Sequence, residues 1–264
     1  MENRIAIMYD FDHTLSTDDM QKFGFFSALG LSNDFFYEND RKAKEEGSDK
    51  ILRYLFEISE KMKELGLKRE DMARFGKEIE FFPGVTTWFD RINNFGKQHG
   101  IEVEHYILSS GQKEIIEGCE IAKHFKKIFA CEYMYGENGE PIWPKAFVNY
   151  TNKTQFIFRI SKGLLNISDD SINEVMDKSL RSVSYENMVY IGDGFTDVPC
   201  MKLVKQKNGT SISVYTDRNK ILSEDLYKNN RVSIYHPADY SEGSPLDEEI
   251  KGIIVRLEQK LKNK

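Results

Sequence analysis

Arg4-Ile5-Ala6-Ile7-Met8-Tyr9-Asp10-Phe11-Asp12-His13-Thr14 is an apolar run that ends in two acids one residue apart. A short run of this kind, from Arg4 to Phe11, reads as a strand buried on both faces, as in a parallel sheet. Its carboxylates then stand at the strand's C-terminal end, the edge where open parallel sheets bind ligands. Two carboxylates so close resist ionising together unless a cation joins them. Mg²⁺, a hard ion that prefers oxygen ligands, meets that need. One acid could then attack phosphorus while the other moves protons. Taken alone, the same residues also fit a turn in which Asp12 caps a helix and Asp10 is incidental.

Outward from this run the pattern becomes helical. Ser16 and Thr17 precede Asp18 and Asp19, a helix-start signature. Ser48 is placed to cap a helix that Gly66 ends, with Ile51, Leu55, Ile58, Met62 and Leu65 on one face. Phe81-Phe82-Pro83-Gly84 marks the return. Residues 16–82 are thus read as a small helical domain inserted after the first strand, with 1–15 and 83–264 forming the core. The core continues with a helix carrying Val85, Trp88, Phe89, Ile92 and Phe95 and stopped by Gly100, then a strand over 103–110 and a helix over 113–124. A strand over 128–135 follows, then a hairpin at Asn138-Gly139 with a return strand near Ile142. The spacing next predicts a helix over 154–165 and a polar stretch, 166–186, with a short helix. Strands at 188–191, 211–215 and 232–235 and a terminal helix from Asp247 complete the chain. Strands alternating with helices predict an α/β fold, a doubly wound and mostly parallel sheet, with a small inserted α-helical cap.

Composition narrows the function. The chain has 264 residues, 40% hydrophobic and 30% charged, enough for one or two domains with a sizeable core. Its formal net charge of -6 disfavours nucleic acid as a partner. The three cysteines, Cys119, Cys131 and Cys200, are odd in number and widely spaced, which argues against a disulfide framework or a zinc site. No leader-like segment opens the sequence, and no apolar stretch nears the roughly 20 residues of a membrane helix. A cytoplasmic protein without a membrane partner is the expectation.

Three further segments carry chemistry. Gly192-Asp193-Gly194-Phe195-Thr196-Asp197 follows a strand, and Asp197 stands where a dinucleotide fingerprint needs its third glycine. Ser109-Ser110-Gly111 ends a strand and offers a hydroxyl and amides to phosphate oxygens, although a plain turn reads the same way. Lys153 starts a helix, where a lysine opposes the macrodipole. Each is ordinary alone.

Together and in this order they resemble the haloacid dehalogenase (HAD) superfamily of phosphatases. Asp10-Phe11-Asp12-His13-Thr14 is similar to its first motif, Ser109 after Tyr106-Ile107-Leu108 to its second, Lys153 to its third, and Gly192 to Asp197 to its fourth. Lys145 and Lys162 are the other lysines considered for the third. The resemblance spans Ile5 to about Tyr215. It implies that Asp10 is the nucleophile and Asp12 the acid/base. It also implies that Asp10, the Asp12 carbonyl and Asp193 hold Mg²⁺. Ser109, Ser110, Gly111 and Lys153 would bind the phosphoryl group. Thr14 would support the turn, and Asp197 would orient a metal-bound water or Lys153. The insert is similar to the cap of the phosphoserine phosphatase branch, with Arg41, Lys42, Lys44, Lys50, Arg53 and Tyr54 as unranked candidates to face the cleft. A small phosphorylated metabolite is the implied substrate, and hydrolysis of its phosphomonoester the implied reaction. A phosphotransferase or phosphomutase is the alternative, ahead of a non-catalytic binding protein.

Overall fold

The computed structural model describes residues 3–263; residues 1, 2 and 264, assigned to the core from sequence, lie outside them. Seven strands form one sheet: β1 (Arg4–Tyr9), β2 (Glu102–Gln112), β3 (Phe125–Tyr135), β4 (Pro141–Ala146), β5 (Met188–Gly192), β6 (Thr210–Tyr215) and β7 (Ile234–Pro237). Their order is β4-β3-β2-β1-β5-β6-β7. All neighbours run parallel except β3 and β4, which the predicted hairpin joins. Gly139 supplies the positive φ, +83°, that this turn requires. β1 lies in the middle, with Ile5 to Tyr9 fully buried. That is why its sequence is a continuous apolar run rather than an alternating one.

Four helices follow β1: α1 (Phe25–Ala28), α2 (Phe35–Glu46), α3 (Lys50–Glu64) and α4 (Arg69–Phe75). The rest are α5 (Val85–Gln98), α6 (Lys113–Glu117), α7 (Thr154–Lys162), α8 (Val198–Gln206), α9 (Lys220–Lys228) and α10 (Pro245–Lys262). α5 packs on β2 and α10, and α8 packs on β5, β6 and α7. The result is the doubly wound α/β architecture.

The chain leaves and rejoins the sheet side by side. Ser16 bridges Phe81, the Thr17 amide donates to the Glu80 carbonyl (2.9 Å) and the Phe82 amide to that of Leu15 (3.0 Å). Buried side chains of the insert, including Phe25, Tyr54, Leu55, Ile58, Met62 and Met72, belong to one apolar cluster with those of the sheet.

Several boundaries differ from expectation. Ser16 starts no helix: its hydroxyl donates to the carbonyls of Phe11 (3.2 Å) and Asp18 (2.8 Å), and the first helical turn is a 3-10 turn at Met20–Lys22. Asp49, not Ser48, caps α3, because its carboxylate accepts from the amides of Ile51 and Leu52 and favours the positive end of the helix. Leu65 is 52% exposed at the end of α3 rather than on its buried face. The helix expected to reach 124 breaks after Glu117; a side chain at Gly118 would collide with the Ala73 carbonyl of α4. The short helix expected within 166–186 takes the 3-10 form, at Asp170–Asn173 and again at Lys178–Leu180, with Asp169 and Asp177 as the caps.

Candidate active site

The first two acids stand just past the end of β1. Phe11 between them is fully buried and meets Phe81 edge to face at 6.3 Å, and Asp10 is buried beside it. The Asp10 amide donates to the Ile191 carbonyl (2.9 Å), extending the β1–β5 pairing by one bond. Asp12 is fixed by the Met20 amide, which donates to its carboxylate at 2.7 Å.

Lys153 joins the motifs. Its ammonium, 1% exposed, lies 2.8 Å from Asp10 Oδ1 and 2.7 Å from Asp197 Oδ1. Burial works against that charge, but the two carboxylates more than offset it and raise its pKa. Asp197 uses both oxygens: Oδ1 also accepts from the Tyr190 hydroxyl (2.6 Å), and Oδ2 from the amides of Asp193 (3.2 Å) and Gly194 (3.3 Å). Asp197 is therefore a clamp that fixes Lys153 and the Gly192–Gly194 turn. Gly192 is needed here because a Cβ would sit 2.5 Å from the Asp197 carboxylate. At Gly194 a Cβ would meet nothing. The other lysines considered lie elsewhere: Lys145 pairs with Glu132 (3.0 Å), and Lys162 donates to the carbonyls of Ile172 and Glu174.

Asp10, Asp193 and Asp197 each bring an oxygen to within 4.8 Å of the others. Because Asp197 is fully engaged, Asp10 and Asp193 are the available donors. Among the described residues, no hydrogen-bond donor reaches the Asp193 carboxylate. Burial, and then repulsion from Asp197, push the Asp10 carboxyl up to about 6 against the pull of Lys153. Burial, followed by Asp197 and Asp10, raises Asp193 as well. Burial leads again at Asp12, with Asp19 and Asp10 adding to it. A hard divalent cation fits this set: all its donors are oxygens, and its charge removes the repulsion.

Ser109, Ser110 and Gly111 lie where β2 bulges. Leu108 pairs with Phe129 and Gln112 with Cys131, so three residues of β2 have no partner in β3. The Gly111 amide donates to Ser109 Oγ (2.9 Å), which turns the serine proton outward. Gly111 itself makes room: a Cβ would overlap the Met20 side chain and lie 3.3 Å from Asp12 Oδ2. Among the described residues the Thr14 hydroxyl has no hydrogen-bond partner; the turn is held instead by amides on the Phe11 carbonyl and by the Tyr240 hydroxyl on the Thr14 carbonyl (2.9 Å). Of the insert residues considered, Lys50 and Tyr54 line a cavity beside Asp12, and Tyr54 donates to the Ser110 carbonyl at 2.6 Å. Arg41, Lys42 and Arg53 form ion pairs within the insert helices.

Three contributors carried little or no sequence signal for this role. Tyr190 looks like any buried strand residue. Asn219, from the turn before α9, donates to the Asp193 carbonyl at 2.8 Å. His13 takes a left-handed φ of +57° and lies 3.2 Å from Asp19; that hydrogen bond, despite burial, raises its pKa to about 9. A histidine directly after two acids is the one hint that could have drawn attention to it.

No protein-family model matches the chain. An uncharacterized protein of Borreliella burgdorferi is 29% identical over 276 residues, which cover 93% of this chain and 94% of that one. Among solved structures, a HAD-family hydrolase of Salmonella enterica serovar Typhi superposes with a TM-score of 0.58 at 17% identity, over 84% of this chain; the match spans 65% of that protein. A phosphoserine phosphatase captured as an analogue of its phospho-aspartyl intermediate gives 0.58 at 17% identity over 95% of this chain and 99% of the other. A probable phosphoserine phosphatase of Vibrio cholerae gives 0.61 at 12%, over 98% and 67% respectively. The fold is that of the HAD hydrolases. The chain shares this fold with the phosphoserine phosphatase structures.

Proposed function

We propose that the protein is a Mg²⁺-dependent phosphatase that hydrolyses a small phosphomonoester through a phosphoryl-aspartate at Asp10. The observation that carries this reading is the buried Lys153, which ties Asp10 to Asp197 at 2.8 and 2.7 Å and leaves Asp193 unengaged beside them. Asp10, Asp193 and the Asp12 carbonyl would hold the ion. Bound there, Mg²⁺ would neutralise charge on the transferring phosphoryl group.

The chain's own residues supply the rest. One Asp10 oxygen attacks phosphorus as the bond to the leaving oxygen breaks. Asp12, whose pKa burial raises, gives its proton to that oxygen. The Asp12 carboxylate then takes a proton from the water that cleaves the phosphoryl-aspartate, which returns Asp10 and releases phosphate. The Ser109 hydroxyl, the Ser110 amide and the Lys153 ammonium hold the phosphoryl oxygens. Gly111 serves by leaving space for Met20 and Asp12. Residues 16–82 act as a cap that excludes water and receives the leaving group, while 1–15 and 83–264 form the catalytic core. Among the described residues no helix is long and apolar enough to cross a membrane. The three cysteines are buried and unpaired, in keeping with a cytoplasmic setting.

Purified protein is expected to release phosphate from an aryl phosphate with Mg²⁺, to stop with a chelator and to resume on adding Mg²⁺. Activity indifferent to the chelator, or retained in Asp10→Asn, would contradict the proposal.

A further inference from the structure

Between α2, α3 and the end of β2 lies a cavity of about 250 Å³, lined by Asp12, Ser110 and Gly111 on the sheet side. If Asp12 protonates the leaving oxygen, as proposed above, the leaving group lies here. Asn39 and Gln21, 2% and 1% exposed, form part of its wall. The Asn39 amide nitrogen donates to the Lys50 carbonyl at 2.9 Å, which fixes the orientation of the amide and, among the described residues, leaves Oδ1 without a partner. Gln21 and Gln112 share a single hydrogen bond of 2.5 Å, which among the described residues leaves Gln21 Oε1 and Gln112 Nε2 unpaired. Turning both amides over would only exchange which atoms are left, so the pair keeps unused bonding capacity either way. Buried carbonyls without a donor are costly, and a ligand that donates to them removes that cost.

The charges in the wall point the same way. Lys50, the cation among the lining residues, is already 3.1 Å from Asp40, and Asp19, in the same wall, is paired with Lys22 at 2.8 Å and His13 at 3.2 Å. We infer that the cavity selects a small leaving alcohol that carries hydroxyl or ammonium donors and no carboxylate. A carboxylate would find the neighbouring cations already held, Lys22 and His13 by Asp19 and Lys50 by Asp40, and would have to draw Lys50 away from its partner. This inference rests on the phosphatase reading and departs from what the phosphoserine phosphatases of similar fold are named for.

The test compares kcat/KM with Mg²⁺ for phosphoserine, phosphoethanolamine, glycerol phosphate and an aryl phosphate. The first two differ only by the carboxylate. Phosphoethanolamine or glycerol phosphate is expected to exceed phosphoserine by at least about tenfold, and the better of the two identifies the donor as ammonium or hydroxyl. Asn39→Leu is expected to lower the preference for that substrate over the aryl phosphate by about tenfold. Asp40→Asn, which frees Lys50, is expected to raise kcat/KM for phosphoserine. Hydrolysis of the aryl phosphate together with equal or better use of phosphoserine would overturn this inference alone. No hydrolysis of any of the four would overturn the phosphatase reading and this inference with it.

Discussion

At the residue scale, polar side chains in the core form chains with defined proton positions. Trp88 Nε1 donates to the Tyr9 hydroxyl (2.8 Å), which donates in turn to His105 Nδ1 (3.0 Å); His105 Nε2 donates to Asn93 Oδ1 (3.1 Å). A second proton on Nδ1 would meet the Tyr9 proton head on. Burial, joined by His124, lowers the His105 pKa from 6.5 to about 3. Between those values the unfolded chain binds a proton that the folded chain refuses. Stability is therefore complete above pH 6.5 and falls towards pH 3, with a slope of up to about 1.4 kcal/mol per pH unit from this one group. Urea unfolding across that range should show His105→Gln, which keeps a donor and an acceptor, with a slope shallower by about one proton; an unchanged slope would contradict the assignment. None of this chain could be read from sequence, since its members are up to 96 positions apart. Taken by itself Lys153 was legible as an oddity, a lysine at the wrong end of a helix, and only the resemblance gave it a role. Its explanation lies 143 positions away in Asp10.

At the element scale, the α3 cap does two tasks. Asp49 Oδ1 accepts from the amides of Ile51 (2.9 Å) and Leu52 (3.0 Å), while Oδ2 accepts from the Asn149 side chain (2.9 Å). Asn149 in turn holds the turn before α7: its side chain accepts from the amides of Thr151 and Asn152, and its carbonyl from the Lys153 amide (3.0 Å). One carboxylate thus links the insert to the loop that presents the buried lysine. Asp49→Ala is expected to cost about 1–3 kcal/mol of unfolding free energy, a cap plus a hydrogen bond. The check is a lowered denaturant midpoint at constant m; a loss under about 0.5 kcal/mol would contradict it. The sequence placed α3 correctly because its apolar spacing is strong. It misplaced the cap because Ser48 and Asp49 are both good cap residues, and only the tertiary contact with Asn149 separates them.

At the scale of the whole molecule, the last segment closes the fold. Tyr240 donates its hydroxyl to Thr14 and its amide to Pro83 (2.8 Å), and it packs edge-on against Trp88 at 5.1 Å. Arg91 joins Asp247 (3.1 Å) to the Tyr240 carbonyl. Gly84 permits this approach, since a Cβ there would lie 2.3 Å from the Ser241 amide nitrogen. With the insert sharing the apolar cluster of the sheet, one cooperative unfolding transition is expected, with calorimetric and van't Hoff enthalpies equal; two resolved transitions would show an independently stable insert. The alternation of strands and helices made the architecture legible, because each strand's apolar run reflects burial within the sheet. The closure by Tyr240 was not legible, since no periodicity marks a contact between opposite ends of a chain. The central claim is covalent, and trapping tests it most directly. In Asp12→Asn, turnover should slow by roughly 10²–10⁴-fold, and borohydride added during turnover, followed by peptide mapping, should find a reduced side chain at Asp10. Unmodified Asp10 alongside continued phosphate release, or modification at another residue, would contradict it.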